Sequence, residues 1–349
     1  MEPEAGAAAV KAGEIDGVGI ARQFLCDPAW VTKLMKGDEA SIRPCICCHN
    51  ACFNMAHYNG VGNDQSLADN AGMARCALNP ETMQSKKYRI EPARRPKNVA
   101  VIGGGIGGME AARVLTLRGP KATIYEKSDR LGGVFVPAAA PSFKEKDRAL
   151  IEWYKKEIAD LGIEVRFNTE VKDIASLGAD EVVVATGSKA RTLPVKGAEK
   201  AVEACDYLLG APVGDRVIII GGGLTGCEIA LDLYKKGKTP VIVEMKNDLI
   251  AVKGVCLANS SYLRDFFALN KVEVHLETSL CEITDTGVVA RDKSGKTFAI
   301  DGDTVLLSVG YVPTPLAPKG AHVHLVGDCD GIGNLRTVIW RAWDVAMAI

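Results

Sequence analysis

Four cysteines near the start of the chain have the spacing of metal ligands. The segment RPCICCHNAC carries C-x2-C-x3-C, and a further cysteine follows in ARCALNP. Four thiolates can bind a [4Fe–4S] cluster or a structural zinc ion. Zinc sites more often use two separated C-x2-C pairs, so three close cysteines and one distant one favour the cluster. The candidate ligands are Cys45, Cys48, Cys52 and Cys76.

Other residues of this segment are weaker candidates. Cys47 is a rival ligand whose spacing fits less well, and His49 is expected beside the ligands or on the surface. The chain has 11 cysteines, an odd number, and no secretory signal is recognised at its start, so a disulfide framework is disfavoured. The segment 53–75 is longer and more polar than a cluster-binding loop requires, so we expect it to form an excursion on the protein surface.

A repeated glycine pattern is the second chemical signal. Residues 97–127 (KNVAVIGGGIGGMEAARVLTLRGPKATIYEK) match residues 215–246 (DRVIIIGGGLTGCEIALDLYKKGKTPVIVEMK) at a constant offset of 118. Each copy predicts a strand, a G-x-G-x-x-G turn, an amphipathic helix and a second strand ending in glutamate, which together form a βαβ unit. The shared positions are Gly103, Gly105, Gly108 and Glu126 in the first copy, and Gly221, Gly223, Gly226 and Glu244 in the second.

The glycine spacing predicts a dinucleotide site in each copy. The first glycine permits a tight turn, the second lets a pyrophosphate approach the backbone, and the third lets the helix pack on the strand. The helix N-terminus then binds phosphate, and the glutamate accepts hydrogen bonds from ribose hydroxyls. A single such motif also occurs in turns that bind nothing, but two copies in register predict two nucleotides. Glu244 should also repel a 2′-phosphate.

Further strands and turns must position these motifs. The runs at 181–187 and 304–310 each predict a strand that ends in glycine, and Gly327-Asp328 follows a third strand before a helical tail at 334–349. In this order the chain resembles the two-dinucleotide-binding-domain flavoproteins, in which an NAD(P) domain interrupts an FAD domain. The resemblance implies an α/β fold with tandem Rossmann-like FAD and NAD(P) domains.

The same resemblance implies a set of nucleotide contacts. The first copy is assigned to FAD and the second to NAD. Glu244 favours NADH over NADPH, since a 2′-phosphate would require a nearby arginine and only Lys246 is close. A simple helix cap is the alternative role for Asp328. The additional positions are Gly133, Gly187, Gly327 and Asp328 for FAD, and Gly310 for NAD.

The cysteine motif narrows the resemblance. Flavoproteins that use a dithiol carry C-x4-C or C-x-x-C, and neither pattern occurs in residues 97–349. The order of motifs resembles the 2,4-dienoyl-CoA reductase branch of the old-yellow-enzyme relatives, which includes trimethylamine dehydrogenase and NADH:flavin oxidoreductases of the bile-acid pathway. This implies contacts to FMN phosphate at Ala21 and Arg22 and to FAD at Lys144 and Val171. A surface lysine and a core valine are the alternatives for the last two.

The resemblance also implies a part that this sequence lacks. Family members begin with a (β/α)8 barrel that binds FMN and carries the substrate site and the proton donor, so no catalytic residue is assigned here. This sequence starts near the last βα unit, with a short buried strand expected after Asp16 and a helix at 28–36. An unpaired strand would expose its edge, so we expect it to be poorly ordered or partnered.

The expected organisation follows from these assignments. It consists of a barrel remnant at 1–43, an iron–sulfur segment at 44–96, an FAD-binding domain at 97–212 and 304–349, and an NAD(H)-binding domain at 213–303.

The expected activity is electron transfer from NADH to FAD, to the cluster, and then to an FMN held by a barrel domain or subunit. In the full-length family the acceptor is an activated C=C bond of the dienoyl-CoA or enoate type. One alternative is an electron-transfer partner similar to the small subunit of glutamate synthase, acting on a separate FMN protein. Another is a nucleotide-binding module with zinc in the cysteine site.

Composition disfavours several other classes. The chain of 349 residues has 42 Lys+Arg and 43 Asp+Glu, a formal net charge of −1, so no basic field favours nucleic acid or an acidic membrane. No run approaches the roughly 18 apolar residues of a membrane span. We therefore expect a cytoplasmic protein with no nucleic-acid or membrane partner, and an oligomer is compatible with the sequence.

Overall fold

The computed structural model describes residues 3–56, 73–252 and 255–349. Most of the excursion expected at 53–75 lies outside these residues. The α-helices are α1 (Pro3–Lys11), α2 (Arg22–Cys26), α3 (Trp30–Met35), α4 (Phe53–Ala56), α5 (Ser85–Tyr88), α6 (Ile106–Arg118), α7 (Phe135–Ala138), α8 (Glu145–Asp160), α9 (Ala204–Leu208), α10 (Leu224–Lys235), α11 (Leu257–Leu269) and α12 (Leu335–Ala348).

The strands follow the same chain order. They are β1 (Asn98–Ile102), β2 (Lys121–Tyr125), β3 (Glu164–Arg166), β4 (Glu181–Val184), β5 (Ser188–Ala190), β6 (Val202–Glu203), β7 (Arg216–Ile220), β8 (Thr239–Val243), β9 (Glu273–His275), β10 (Ser279–Thr284), β11 (Gly287–Arg291), β12 (Thr297–Asp301), β13 (Thr304–Leu307), β14 (Tyr311–Pro313) and β15 (Val323–Leu325).

The first glycine copy lies in a five-stranded parallel sheet of order β15-β4-β1-β2-β3. Strand β1 reads NVAVI, and its last four residues are buried, as expected for a parallel strand covered by helices on both faces. Helix α6 connects β1 to β2 and packs against α12. Strand order reverses between β1 and β4, the place where doubly wound sheets bind nucleotides.

The second copy forms a separate five-stranded parallel sheet of order β6-β13-β7-β8-β9. Strand β7 reads RVIII and α10 connects it to β8. An antiparallel sheet β10-β11-β12 packs beside it, and β5 pairs with β14. The prediction of tandem Rossmann-like domains in an α/β fold is therefore confirmed.

The strands correct the boundaries expected at 213 and 304. Strands β6 and β13 both pair inside the second sheet, with Leu306 opposite Val202 on one side and Ile219 on the other. Strand β13 pairs with β7 in the same way that β4 pairs with β1. In both sheets the central parallel strand thereby has a hydrogen-bonding neighbour on each side. Residues 202–203 and 304–307 therefore belong with the second sheet.

The N-terminal segment departs from the expected βα unit. Residues 12–21 form neither helix nor strand, and most of them are exposed. The prediction of a buried strand after Asp16 is therefore wrong. The helix expected at 28–36 is present as α3.

Three tryptophans of the first nucleotide fold form hydrogen bonds to Ser41 and to the segment expected at 44–96, which is called the cysteine segment below. The indole N–H groups of Trp153, Trp340 and Trp343 donate to the backbone oxygens of Ser41, Cys76 and Tyr88 at 3.0, 3.1 and 3.2 Å. Residues 77–78 are buried in the same apolar core as α6, α8 and α12. The cysteine segment and the first fold thus share one core. Within the described ranges, no helix is long and apolar enough to cross a membrane.

Candidate functional site

Two glycines of the first turn are required by the protein's own packing. A Cβ on Gly103, where φ is +107°, would lie 2.4 Å from the carbonyl oxygen of Ala185. A Cβ on Gly108 would lie 1.9 Å from the carbonyl oxygen of Gly103. The middle glycine differs: the nearest atom to a Cβ on Gly105 is 4.0 Å away. The turn is therefore tight on the protein side and open where a pyrophosphate would approach.

The second turn repeats this arrangement. Added Cβ atoms would lie 2.3 Å from the Ser308 oxygen at Gly221 and 2.0 Å from the Gly221 oxygen at Gly226. Around Gly223 nothing lies within 4 Å. Both turns therefore have the geometry that a dinucleotide requires: the turn is closely packed at its first and third glycines and has free space over its middle glycine.

The helices that follow the turns begin with unsatisfied backbone donors. Gly105 and Gly223 are the N-caps of α6 and α10, and neither offers a side-chain cap. The first N–H groups of an α-helix have no partner within the helix. They are available to an anionic group, which the helix dipole also favours.

Both motif glutamates bind their own glycine turns. In the first copy, Glu126 Oε2 accepts from Gly104 N–H at 2.7 Å, and Oε1 accepts from Ser128 N–H at 2.8 Å and Oγ–H at 2.7 Å. In the second, Glu244 accepts from Gly222 and Lys246 N–H at 2.6 and 2.8 Å. A carboxylate has about four lone-pair sites, so both retain capacity for a ribose hydroxyl. The sequence did not predict their role in holding the turns.

Other positions assigned to FAD gather around the start of α6. A Cβ on Gly133 would lie 3.1 Å from Gly105 Cα, and one on Gly107 would lie 3.5 Å from Gly327 Cα. Asp328 is hydrogen-bonded to Ser188 Oγ–H and Gly333 N–H at 3.2 Å each, and burial raises its pKa. These loops from three parts of the chain meet at one helix end.

Gly187 and Gly310 lie at the connections between the two folds. They directly precede the paired strands β5 and β14. Nothing lies within 4 Å of a Cβ at either position, and both have positive φ, +70° and +90°. The structure places Val171 in a partly buried position against the apolar core that includes Ile102.

Lys144 links the two nucleotide folds. Its Nζ lies 2.6 Å from Glu228 Oε1 on α10 and 3.5 Å from Asp147 Oδ2 on α8. Burial alone would lower the pKa of Lys144, but the two negative charges raise it above its usual range, while burial raises the pKa of Glu228. The sequence predicted a FAD contact for Lys144 and missed this pair, which joins residues 84 positions apart.

One cavity is lined by all four candidate metal ligands. Cys45, Cys48, Cys52 and Cys76 meet there with Arg22 and His49. Cys47 lies outside this lining, is exposed, and has a positive φ of 57°. In the described parts of the chain, no three His, Cys, Asp or Glu side chains come together as ligands of a single ion.

The cavity lining includes a cysteine that the sequence did not single out. Cys26 on α2 is buried, lines the cavity together with Cys76, and donates from its Sγ to the carbonyl oxygen of Pro44 at 3.5 Å. The neighbouring Cys26 side chain lowers the pKa of Cys76 to about 7, whereas burial raises those of Cys45 and Cys48 to about 11 and 12. Cys26 lies 19 residues before Cys45, so no spacing motif connects the two.

The predicted FMN-phosphate residues lie near this cavity. Arg22 Nη1 is 2.5 Å from His49 Nε2, and Ala21 is the exposed N-cap residue of α2. Burial and the positive charge of Arg22 lower the pKa of His49. The structure therefore brings Arg22 together with the cysteine cavity.

Known proteins resemble the whole of this chain. It is 37% identical over 357 aligned residues to cinnamate reductase of Clostridium sporogenes, with 100% of this chain and 52% of the relative covered. It is 32% identical to NADH oxidase of Thermoanaerobacter brockii, covering 100% and 54%. The solved complex of 2-naphthoyl-CoA reductase superposes with a TM-score of 0.87 at 28% identity, covering 100% and 53%. The chain thus spans about half the length of these relatives.

A family match covers the two nucleotide folds and part of the cysteine segment. The description "Pyridine nucleotide-disulphide oxidoreductase" applies to residues 72–179 and 175–332. The paired glycine turns and the two parallel sheets agree with it. The chain therefore belongs to the pyridine nucleotide-disulphide oxidoreductase family and carries the FAD and NAD(P)H folds of a flavin oxidoreductase.

Proposed function

We propose that this chain is the electron-delivering half of an NADH-dependent reductase. The proposal rests on the presence of three sites in one chain. These are the two open glycine turns and a cavity lined by four cysteines, whose segment shares a core with the first nucleotide fold. When bound, FAD accepts a hydride and releases single electrons, and a [4Fe–4S] cluster supplies one-electron transfer.

The residues of the first fold suit FAD. Free N–H groups at the start of α6 would bind the pyrophosphate, and open space over Gly105 admits it. Glu126 retains capacity for a ribose hydroxyl, while Gly133 and Gly327 bring their backbones close to the same helix end. Asp328 follows Gly327 directly in the chain and would add a carboxylate to this group of residues.

The second fold suits NADH. Gly223 and the start of α10 would bind its pyrophosphate, and Glu244 would accept from its ribose. Glu244 is 8% exposed and keeps its carboxylate beside the turn, so a 2′-phosphate would bring negative charge against it. We expect kcat/KM to be at least about tenfold higher for NADH than for NADPH.

The cysteine cavity suits a [4Fe–4S] cluster better than zinc. All four candidate cysteines line one cavity. Three of them are closely spaced as C-x2-C-x3-C and the fourth is distant in sequence, a pattern more typical of a cluster than of the two C-x2-C pairs of many zinc sites. Arg22 and Arg43 add positive charge near thiolates whose burial would otherwise oppose ionisation.

The acceptor of the electrons is proposed from the relatives. Cinnamate reductase and 2-naphthoyl-CoA reductase carry names of reactions on unsaturated aromatic acids or thioesters, which supports an activated C=C bond as the acceptor. Because the chain spans about half of these relatives, we assign the FMN site and substrate site to a barrel domain or a separate subunit. A separate subunit would make this chain an electron-transfer partner, and co-purification with an FMN protein tests that arrangement.

Anaerobic reconstitution tests the proposal. Protein supplied with FAD, iron and sulfide should retain FAD, contain about four irons and four sulfides per chain, and reduce an artificial dye with NADH. Zinc retained in place of iron would contradict the cluster. A protein that holds FAD but shows no NADH-dependent dye reduction would contradict the reductase.

A further inference from the structure

The near-neutral total charge of the chain conceals one strongly basic stretch. Residues 85–97 read SKKYRIEPARRPK and contain six Lys or Arg residues and one Glu, although the whole chain has a formal net charge of −1. This stretch, called the basic segment below, ends the cysteine segment and leads into strand β1. Its positive charge is therefore a local feature that the overall composition does not reveal.

Four cations of the basic segment face solvent without an intramolecular counter-ion. Lys86, Arg89, Arg94 and Arg95 are exposed, and none of their side chains has an ion pair or hydrogen bond to another described residue. The last cation, Lys97, differs because its charge is used inside the first fold, in an ion pair with Glu181 at 2.6 Å. The four exposed charges remain available to a partner.

The backbone of the basic segment is held in place. The Tyr88 carbonyl accepts from Trp343 Nε1–H at 3.2 Å, and the Glu91 carbonyl accepts from Arg118 Nε–H at 3.1 Å. Ala93 N–H donates to the Arg118 carbonyl at 2.7 Å. Because these anchors fix the backbone, binding a partner costs less entropy than it would on a free tail.

Helix α12 places the basic segment close to the cysteine cavity. Trp340 donates to the carbonyl of Cys76, which lines the cavity, and Trp343 donates to that of Tyr88. The two tryptophans are three residues apart, a rise of about 4.5 Å along the helix. The basic segment precedes β1 whereas the first glycine turn follows it, so a protein docked here lies near the cavity and leaves the turn open.

The residue types favour an acidic protein over a nucleic acid. The single aromatic residue of the basic segment, Tyr88, is buried, so no exposed ring is present in the segment on which a base could stack. Met83, two residues before the segment, is 61% exposed. Methionine and arginine are both enriched in protein–protein interfaces, and an apolar side chain gains little beside phosphates.

We propose that the basic segment is a docking surface for an acidic electron-transfer protein. The unpaired cations attract an acidic face and speed its association, and the anchored backbone sets its orientation. The inference rests on the proposed function for the kind of partner, because an electron-delivering chain requires a protein that docks near the cysteine cavity. Docking itself requires no bound cofactor.

Flavodoxin, a small acidic electron carrier, is the probe for this surface. The full chain with Arg94→Glu and Arg95→Glu is compared with the wild type and with a control double variant, Lys271→Glu and Arg291→Glu. The control changes the net charge equally at exposed positions of the second fold. Calorimetric titration at low salt should show that the first variant raises Kd about tenfold or more and the control less than about twofold.

Salt and competing ligands test the nature of the contact. The Kd of the wild type for flavodoxin should rise about tenfold or more between about 20 and 200 mM salt, since exposed charges are screened. Single-stranded RNA and vesicles of anionic lipid are titrated in parallel. If either binds more tightly than flavodoxin, and Arg94→Glu with Arg95→Glu abolishes that binding, the assignment to a protein partner is wrong.

The outcomes separate this inference from the proposed function. A wild type that reduces the dye with NADH but does not bind flavodoxin overturns the docking surface alone, as does equal weakening in both double variants. A wild type that binds flavodoxin but shows no NADH-dependent dye reduction contradicts the proposed function alone. If the Arg94 and Arg95 variant fails to fold, Lys86→Glu with Arg89→Glu replaces it, and an unchanged Kd there also overturns the inference.

Discussion

The two glycine turns have the same local geometry in different surroundings. Helix α6 is buried from Ile106 to Leu115 and shares its core with α12 and the cysteine segment. In helix α10, Leu224 and Glu228 are only partly buried and Thr225 is exposed. The nearest atom to a Cβ on Gly105 is Gly133 Cα at 4.0 Å, whereas a Cβ on the equivalent Gly223 has no neighbour within 4 Å.

This difference explains how one motif can serve two kinds of ligand. A turn enclosed by other loops favours a nucleotide that stays bound, because release would require those loops to separate. An open turn favours a nucleotide that exchanges at each turnover. The comparison therefore predicts tightly held FAD at the first turn and exchangeable NADH at the second, and substitutions at equivalent positions should have different consequences.

The largest effects are expected from the third glycines. Gly108→Ala and Gly226→Ala place a Cβ about 2 Å from a backbone oxygen, and such overpacking should cost more than about 3 kcal/mol. Gly108→Ala should destabilise the fold that holds the cysteine segment and lose FAD. Gly226→Ala should lose NADH-dependent dye reduction while FAD absorbance remains. Equal loss of FAD in both variants would contradict the independence of the two turns.

The middle glycines should separate binding from folding. Gly105→Ala and Gly223→Ala introduce a methyl group into open space at φ values of −71° and −69°, which alanine adopts readily. The free energy of unfolding without nucleotide should change by less than about 1 kcal/mol. Gly105→Ala should weaken FAD binding, and Gly223→Ala should raise the KM for NADH about tenfold or more, because the methyl group occupies the pyrophosphate position.

Calorimetry and nucleotide titration check this pair of variants. Since neither alanine meets a protein atom closely, a large loss of stability without nucleotide would show that the turns have less free space than the structure indicates. Unchanged affinity for both nucleotides would place the pyrophosphates elsewhere.

Local patterns accounted for most of the fold. The glycine turns, their strands and their helices were predictable because each is encoded within about 30 consecutive residues. The C-x2-C-x3-C spacing likewise brought Cys45, Cys48 and Cys52 to one place. The missed features are contacts between distant segments: Cys26 with Pro44, Lys144 with Glu228, and β13 beside β7. Their geometry depends on packing that the sequence pattern does not display.

Acid should destabilise the first sheet through Glu181, which begins strand β4. The second sheet has no titratable group at the equivalent position. Burial acts to raise the pKa of Glu181, but hydrogen bonds from Lys97, His324 and His322 lower it to about 2. The equivalent strand β13 begins with Thr304, which accepts from Gly214 N–H at 2.9 Å. Since the folded pKa lies below the usual 4.5, Glu181 stabilises the protein above that pH and loses this effect as the pH falls towards 2.

Glu181→Gln tests this acid dependence. The variant should lose about 2 kcal/mol of the stability at neutral pH and show a flatter decline between pH 5 and pH 2. Urea unfolding at several pH values measures both quantities. An unchanged slope in this range would show that the Glu181 contacts do not contribute to acid stability.

The smallest expected effect concerns the contact between the two folds. Lys144→Ala removes the ion pair with Glu228, whose side chains are 20% and 23% exposed, so we expect about 1 kcal/mol or less. If Lys144 serves mainly to join the folds, FAD content should stay unchanged while the KM for NADH rises a few-fold, because α10 carries the second turn. Lys155→Ala removes a more exposed pair with Glu152 on α8 and should change neither quantity. Loss of FAD in Lys144→Ala, but not in Lys155→Ala, would instead support the flavin contact implied by the sequence resemblance. The same lysine would then contact FAD in the first fold and Glu228 in the second.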